Sequence, residues 1–308
     1  MFAPKYFSGI EPKNIFCLLL FVLVVPMHIR DVLRGKIPED LLRLVPSSFD
    51  IIGSREKAVA IVELDDALLP YKELVADAIF EVHKNVRAVY RKASERKGEY
   101  RVRELELIKG ENVTEVIHME HGYKIKLDVT KVYFSPREAT ERQRIASQVK
   151  PGETVMVMFA GVGPFAIAIA KKQPAVGRII AIEINPDAYR YMVENIKINK
   201  VEHLVYPVLG DVKIEAPRFF NQCDRVVMPL PKGAYLFLDE AVNCLKETGG
   251  WIHFYHWSRE EDLFTEAFRL VSEAARKRGF TAELRGARKV SPYAPRIYKV
   301  AVDVLLTK

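Results

Sequence analysis

The 308-residue chain has 47 Lys and Arg against 40 Asp and Glu, a formal charge of +7, and 49% hydrophobic residues, enough for one large or two modest domains with a sizeable core. The basic balance leans towards a polyanionic partner. Cys17, Cys223 and Cys244 are far apart and match no metal spacing, which excludes a cysteine zinc site and a disulfide scaffold and suits a reduced, cytoplasmic setting.

The first 40 residues are set apart by an apolar run from Ile15 to Val25, shorter than the roughly 20 residues a membrane span needs. No small-residue cleavage site follows it. It reads as a buried strand or helix, a membrane-directing segment, or translated sequence upstream of a start at Met27; no membrane association is expected. Pro38-Glu39-Asp40 then opens a predicted helix with Leu41, Leu42 and Val45 on one face. AVAIVEL (58–64) is a predicted strand and KELVADAIFEVHKNV a predicted helix. YRVRELELI and YKIKLDVTKVYF alternate strictly and are predicted antiparallel strands joined through HMEHGYK, with His121-Gly122 as the turn. Residues 41–134 are thus expected to form a small α+β domain.

From SPREATERQRIASQV onward helices and strands alternate. Strands are predicted at ETVMVMFA, GRIIAIEI, VYPVLGD, CDRVVMPL, GWIHFYHW and finally IYKVAVDVLL. The expectation for residues 135–308 is an α/β, Rossmann-like domain with a mostly parallel sheet and helices on both faces.

VMVMFAGVGPFAIAIAKK is a strand, a glycine loop and a helix. Gly161 and Gly163 let the backbone approach a ligand and turn into the helix. Glu183 ends the second strand, where a carboxylate can accept from both ribose hydroxyls; Asp211, between Gly210 and Val212, ends the third, facing an adenine edge. Phe165 and Ala166 stand near the place of the third glycine of a dinucleotide fingerprint, and Pro164 removes an N–H that a pyrophosphate would use. The loop therefore points to a cofactor without phosphates, S-adenosylmethionine.

VYFSPREATERQRIA, MFAGVGPFAIAIAK, IEINPDAYRYMVENIKINK, GDV, DRVVMPLPKGAYLFLDEA, GGWIHFYHW and SPYAPRIYKVAVDV together resemble the archaeal and eukaryotic tRNA (guanine-37-N1)-methyltransferase family over about residues 41–308. The same superfamily contains enzymes that transfer an aminocarboxypropyl group to the wybutosine precursor. Leu230-Pro231-Lys232 sides with methyl transfer, while Pro229 replaces the asparagine of the family's Asn-Leu-Pro-Lys. Some archaeal members with that replacement are, by resemblance, bifunctional, methylating G37 and also C7 of the tricyclic wyosine precursor (4-demethylwyosine). Longer members add an N-terminal domain that touches the outer corner of tRNA; the residues before about 41 are too few for it in full.

The resemblance implies roles. Guanine N1 carries a proton, so methylation needs a base and something to meet charge on O6; Glu141 and Arg101 match the positions assigned to these jobs. Pairing of Glu141 with Arg137 or Arg144 on the helix surface is the alternative. Arg103, two residues along, is a reserve for Arg101. Ser135 and Arg142 resemble positions at the methionine end of the cofactor, Arg142 reading its carboxylate unless it makes a surface ion pair. Phe159 is either a cofactor wall or a core aromatic. With Gly161, Gly163, Glu183, Ile184, Asp211, Val212 and Pro229 these complete the expected cofactor site. Tyr255, His253 and His256 read as strand-end packing. Arg137, Arg144, Pro231 and Lys232 are expected against the substrate. So is the C-terminal stretch with Arg288, Lys289, Tyr293, Arg296, Tyr298 and Lys299, which suits a flipped base and its phosphates unless it is a solvated loop. The expected partner is the tRNA anticodon loop at position 37, with the α+β domain holding the anticodon arm, no metal, and a monomeric enzyme. Aminocarboxypropyl transfer and a non-catalytic tRNA-binding module remain the alternatives.

Overall fold

The computed structural model describes residues 28–94, 98, 100 and 102–308; the apolar run at 15–25 and Arg101 lie outside them. One compact unit comprises residues 28–47 and 64–84, and a second comprises 48–63 and 85–308. In the first, α1 (Ile29–Leu33) and α2 (Lys72–Val82) are joined by 3-10 turns at Glu39–Leu44 and Asp66–Tyr71. Arg30 ties this unit to itself by donating to the Val45 carbonyl at 2.9 Å and the Arg43 carbonyl at 3.2 Å. The helix expected from Pro38 is only a six-residue 3-10 turn, because Pro46 disfavours helical geometry at Val45 and stops it early.

The second unit begins with a four-stranded sheet in the order β1 (Asp50–Gly53), β2 (Ala58–Val62), β3 (Val86–Lys92), β4 (Leu105–Gly110). A separate hairpin pairs β5 (Glu115–Glu120) with β6 (Tyr123–Asp128). His121 and Gly122 have φ of 44° and 85°, the two positive values that a two-residue type I′ turn requires. The predicted pairing of the 100–108 strand with the 123–134 strand does not form: β4 pairs with β3, and β6 with β5. A two-residue turn can join β6 only to the strand immediately before it, and that strand lay in the stretch read as a connection.

The main sheet has the order β12-β13-β11-β10-β7-β8-β9. Its strands are β7 (Thr154–Met158), β8 (Arg178–Glu183), β9 (Val205–Leu209), β10 (Arg225–Met228), β11 (Gly249–Arg259), β12 (Thr281–Ala294) and β13 (Ile297–Thr307). β7 to β11 run parallel, while β13 is antiparallel to β11 and β12 to β13. The helices are α3 (Ala139–Ala146) before the sheet, α4 (Pro164–Lys172), α5 (Pro186–Ile198), α6 (Val212–Glu215), α7 (Leu238–Cys244) and α8 (Thr265–Lys277). Val155, Val157, Ile179 and Val227 enter one core cluster, and Met156, Met158, Ile180 and Val226 the other. Alternate residues pointing to opposite faces, all apolar, are what a sheet covered on both sides needs. The expected parallel sheet is present. The stretch from Arg288 to Ala294, for which a solvated loop is the alternative to a binding segment, is the end of the long strand β12 and not a loop; register shifts at Lys289/Ser291 and Pro292/Ala294 break its alternation.

The contact division does not fall at 134/135. Two side chains one helical turn apart, Asn195 on α5 and Asn199 at its C-cap, show why. Asn195 accepts from Lys126 N at 2.6 Å and donates to Lys126 O at 2.9 Å; Asn199 accepts from Lys124 N at 2.9 Å and donates to Lys124 O at 2.6 Å. These amides pair the free edge of β6 as another strand would, and so bind the hairpin to the layer that carries α5.

Candidate active site

β7 is paired with β8 on one side and β10 on the other, so the order of the sheet reverses between β7 and β10. Ligand crevices form at the C-terminal ends of strands at such a switch point. The glycine loop leaves β7 there and Pro229-Leu230-Pro231-Lys232 leaves β10. Phe159 takes a left-handed φ of 57°, uncommon for a bulky residue, and its ring meets Phe237 edge-on at 5.0 Å. Gly161 (φ 58°) donates to Glu183 Oε2 at 2.6 Å, and Asn185 N donates to Oε1 at 2.8 Å. The Ile184 N–H also supports this carboxylate. Burial raises the Glu183 pKa, and these backbone donors offset it only in part. Three backbone donors on roughly four lone-pair sites leave the carboxylate one acceptor position for a ribose hydroxyl. Asp211 caps α6 by accepting from Lys213 N at 2.8 Å, and the Val212 side chain is in the core.

These residues fit an adenosyl group. A Cβ added at Gly161 would meet only Tyr133 O, at 3.8 Å, so the loop leaves an open cradle above it. The buried carboxylate supplies a ribose acceptor, while Pro164 at the first position of α4 leaves no N–H there for a phosphate.

Tyr255 on β11 ties three segments of this sequence together. Its hydroxyl donates to Glu141 Oε1 on α3 at 2.6 Å. Its ring meets Phe165, in the first turn after the glycine loop, at 6.2 Å. On the same ring lies Lys299 Nζ, 4.8 Å from the centroid, which donates to Glu138 at 2.7 Å and to the Pro229 carbonyl at 3.3 Å. Glu141 is 3% exposed and also accepts from Arg144 Nη2 at 2.7 Å and Nε at 3.0 Å, with Arg288 Nε 3.6 Å from its Oε2. Burial first, and Glu141 second, push the Tyr255 hydroxyl well above its ordinary pKa, so it remains a donor.

Several expected roles change. Arg142 does not face a cofactor carboxylate: it is 1% exposed and clasps Glu120 through Nε at 2.8 Å and through Nη2, with Nη2 also on Ser135 O at 3.1 Å. Arg144 is not a free substrate contact, being held between Glu141 and Asp303. Arg137 pairs with Asp50 at 2.7 Å, not with Glu141. Lys299, grouped with the RNA-facing cations, is 2% exposed. Lys289 and Arg296 are outside but compensated, Lys289 by Glu260 at 3.4 Å and Arg296 by Glu260 at 3.8 Å and by Glu261. Tyr293 is 66% exposed and packs on Trp257 with ring centroids 4.3 Å apart. Arg103 lines a depression with Asp50, Tyr133 and Phe134, just before Ser135. Pro231 is half-buried and Lys232 exposed in the turn after β10.

Tyr255 and His253 are more than packing, and Glu120, Glu138 and Asp303 were missed. The signal for Asp303 was legible: it is a lone carboxylate in the apolar strand VAVDVLL, and a buried charge needs a partner. Among the described residues no group of His, Cys, Asp and Glu could hold a metal ion, and no helix is long and apolar enough to cross a membrane.

Comparison with known proteins agrees with this geometry. The TRM5/TYW2 methyltransferase domain matches residues 116–283, and the TYW2 N-terminal domain matches residues 29–114. The tRNA (guanine(37)-N(1))-methyltransferase Trm5b of Pyrococcus abyssi is 48% identical over 268 residues, covering 87% of this chain and 77% of that protein. Its crystal structure superposes with a TM-score of 0.78 at 46% identity, over 88% of this chain and 78% of that one. The structure of TYW2 from Pyrococcus horikoshii in complex with MeSAdo gives a TM-score of 0.74 at 32% identity, over 91% and 98%. A complex of aTrm5 with tRNALeu gives 0.78 at 36% identity, over 92% and 79%. A cofactor cradle at the switch point, a buried carboxylate beside it, and matches that together run from residue 29 to 283 lead to one conclusion: this chain belongs to the TRM5/TYW2 family of S-adenosylmethionine-dependent methyltransferases.

Proposed function

We propose that this protein methylates N1 of guanosine 37 in the anticodon loop of tRNA. The observation that carries the reading is the convergence on Tyr255, which joins Glu141 to the glycine-loop helix and, through Lys299, to the Pro229 carbonyl. The names of the relatives, Trm5b and the tRNA complex among them, support the same substrate. Bound S-adenosylmethionine supplies an electrophilic methyl group and is left as S-adenosylhomocysteine. Glu183 holds the ribose, and Phe159, Gly161 and Asp211 shape the adenosine end. Glu141 takes the N1 proton, and the freed lone pair of N1 attacks the methyl carbon. Tyr255 and Arg144 fix the carboxylate so that this transfer needs little reorganisation. Arg101 is assigned the developing charge on O6.

The test is nucleoside analysis of a G37 tRNA transcript after incubation with cofactor carrying label in the methyl group or in the aminocarboxypropyl chain. The expected product is 1-methylguanosine with methyl label only, lost in Glu141→Gln. Label from the aminocarboxypropyl chain, or no label in RNA that is nevertheless bound, refutes the proposal. Pro229 favours a second substrate, the tricyclic 4-demethylwyosine at position 37, methylated at C7. A proline there removes a side-chain amide and leaves a stiff, less polar slot for a larger base. In this reading Pro229→Asn lowers C7 methylation relative to N1 methylation in the same assay.

A further inference from the structure

Arg144 serves two carboxylates at once. Its Nε and Nη2 donate to Glu141, while Nη1 and Nη2 donate to Asp303, the latter at 3.1 Å. Asp303 Oδ1 lies 2.6 Å from His253 Nδ1, and His253 Nε2 lies 2.6 Å from Arg225 Nη1. A guanidinium can only donate, so Nε2 accepts, the imidazole proton is on Nδ1, and His253 is a neutral donor to Asp303. Arg225 is in turn held by Glu153 at 2.8 and 3.0 Å. The far end of this chain is therefore internally neutral, and the single positive charge of Arg144 is divided between Glu141 and Asp303.

We infer that Asp303 is a positioning residue for the methyl-transfer reaction: it turns the Arg144 guanidinium and takes a share of its charge, so that Glu141 is held in place while only part of that charge falls on it. Paired with Glu141 alone, a half-buried arginine would stabilise the ionised carboxylate and make it a poorer base. The other groups facing Glu141 are Tyr255 from β11, which donates a hydrogen bond, and the partly exposed Arg288 from β12, 3.6 Å away; Lys299 is neutralised by Glu138. Burial pushes the Asp303 carboxyl up, but His253 and Arg144 outweigh it and hold the pKa far below its ordinary value, so Asp303 stays charged throughout the working range. Its place on β13, opposite His253 in the register, fixes where that charge sits.

This inference rests on Glu141 as the base, and the experiment separates the two. Single-turnover methyl transfer to the G37 transcript is followed against pH with saturating cofactor. Asp303→Asn is expected to move the acid limb to lower pH and reduce the plateau rate about tenfold, with cofactor and tRNA affinity unchanged. Arg144→Gln is expected to move the limb the other way, to higher pH. Opposite shifts are not what a merely structural role produces. Limbs that stay in place, or move in the same direction, overturn the inference. Should Asp303→Asn fail to fold, as judged by its melting curve, the direction of the Arg144→Gln shift decides alone. Glu141→Gln is run alongside: if it still transfers methyl groups the base assignment fails, whereas its inactivity with unmoved limbs removes only the role of Asp303.

Discussion

Arg142 and Glu120 offer the sharpest separation between scaffold and site. Both are almost fully buried, at 1% and 5% exposure, and meet through two parallel hydrogen bonds. Removing one partner of such a pair leaves a buried charge alone and costs about 3–5 kcal/mol. Glu120 keeps the Tyr123 hydroxyl, and His118 lies 3.9 Å away, so Arg142→Met belongs at the lower end, about 3 kcal/mol. Glu120→Gln keeps an amide oxygen for the guanidinium but removes its countercharge, leaving the buried cation with neutral acceptors, the Ser135 carbonyl among them, and the ring of Phe134 5.1 Å away; its cost is similar. The double variant is expected to lose little more than either single one, a coupling of about 2 kcal/mol or more. Urea midpoints of the four proteins give the cycle, and calorimetric titration of S-adenosylmethionine gives the second readout. The reasoning fails if the two effects add and Arg142→Met, still stable, binds cofactor much more weakly while Glu120→Gln does not.

Acid should unfold the protein through the same pairs. Glu120 and Asp303 have folded pKa values below their ordinary 4.5 and 3.8, despite burial, because Arg142, and for Asp303 His253 and Arg144, hold the charged form. A depressed carboxylate contributes stability above its unfolded pKa and loses it as pH falls through the folded one. His253, lowered from 6.5 mainly by burial, has the same sign, so a melting temperature that does not fall with acid from pH 6.5 downward contradicts this account. Gly163→Ala puts a Cβ 3.0 Å from Met192 Cγ at φ 87° and is expected to cost about 1–2 kcal/mol and weaken cofactor binding, read by melting and titration. Tyr255→Phe removes a buried donor to a carboxylate, worth about 1.5–3 kcal/mol; methyl transfer should slow while cofactor affinity holds. Arg137→Ala, by contrast, breaks a half-exposed pair with Asp50, and its melting curve should shift by no more than about 1 kcal/mol of stability.

The layers were legible in the sequence because both-face burial writes itself as uninterrupted apolar strands, as in VMVM and RIIAIE. Turn chemistry located His121-Gly122. What did not show was which strands pair, since β4 and β5 carry the same alternation and only the turn length chooses between them. Glu183 ends β8, where strand-end reasoning put it, and Glu141 lies on α3. The arginines were harder. ATERQRIA presents Arg142 and Arg144 two residues apart, and local spacing cannot reveal that their partners, Glu120 and Asp303, lie 22 and 159 positions away. Arg101 stays an expectation, lying outside the described residues. Lys299 looked like one more cation in a basic stretch; alternation along β13 turned it inward beneath Tyr255.

The two asparagines at the C-terminal end of α5 have a wider consequence. Because Asn195 and Asn199 close both the N–H and the C=O of Lys126 and Lys124, the hairpin has no life of its own: its outer edge exchanges amide protons only when α5 lifts away. The helix is capped by Asn185, two residues after Glu183, the carboxylate proposed to meet the ribose. A ligand that steadies that end is expected to slow proton exchange at Lys124 and Lys126 at the other, which would make these two amides a remote gauge of whether the cradle is filled.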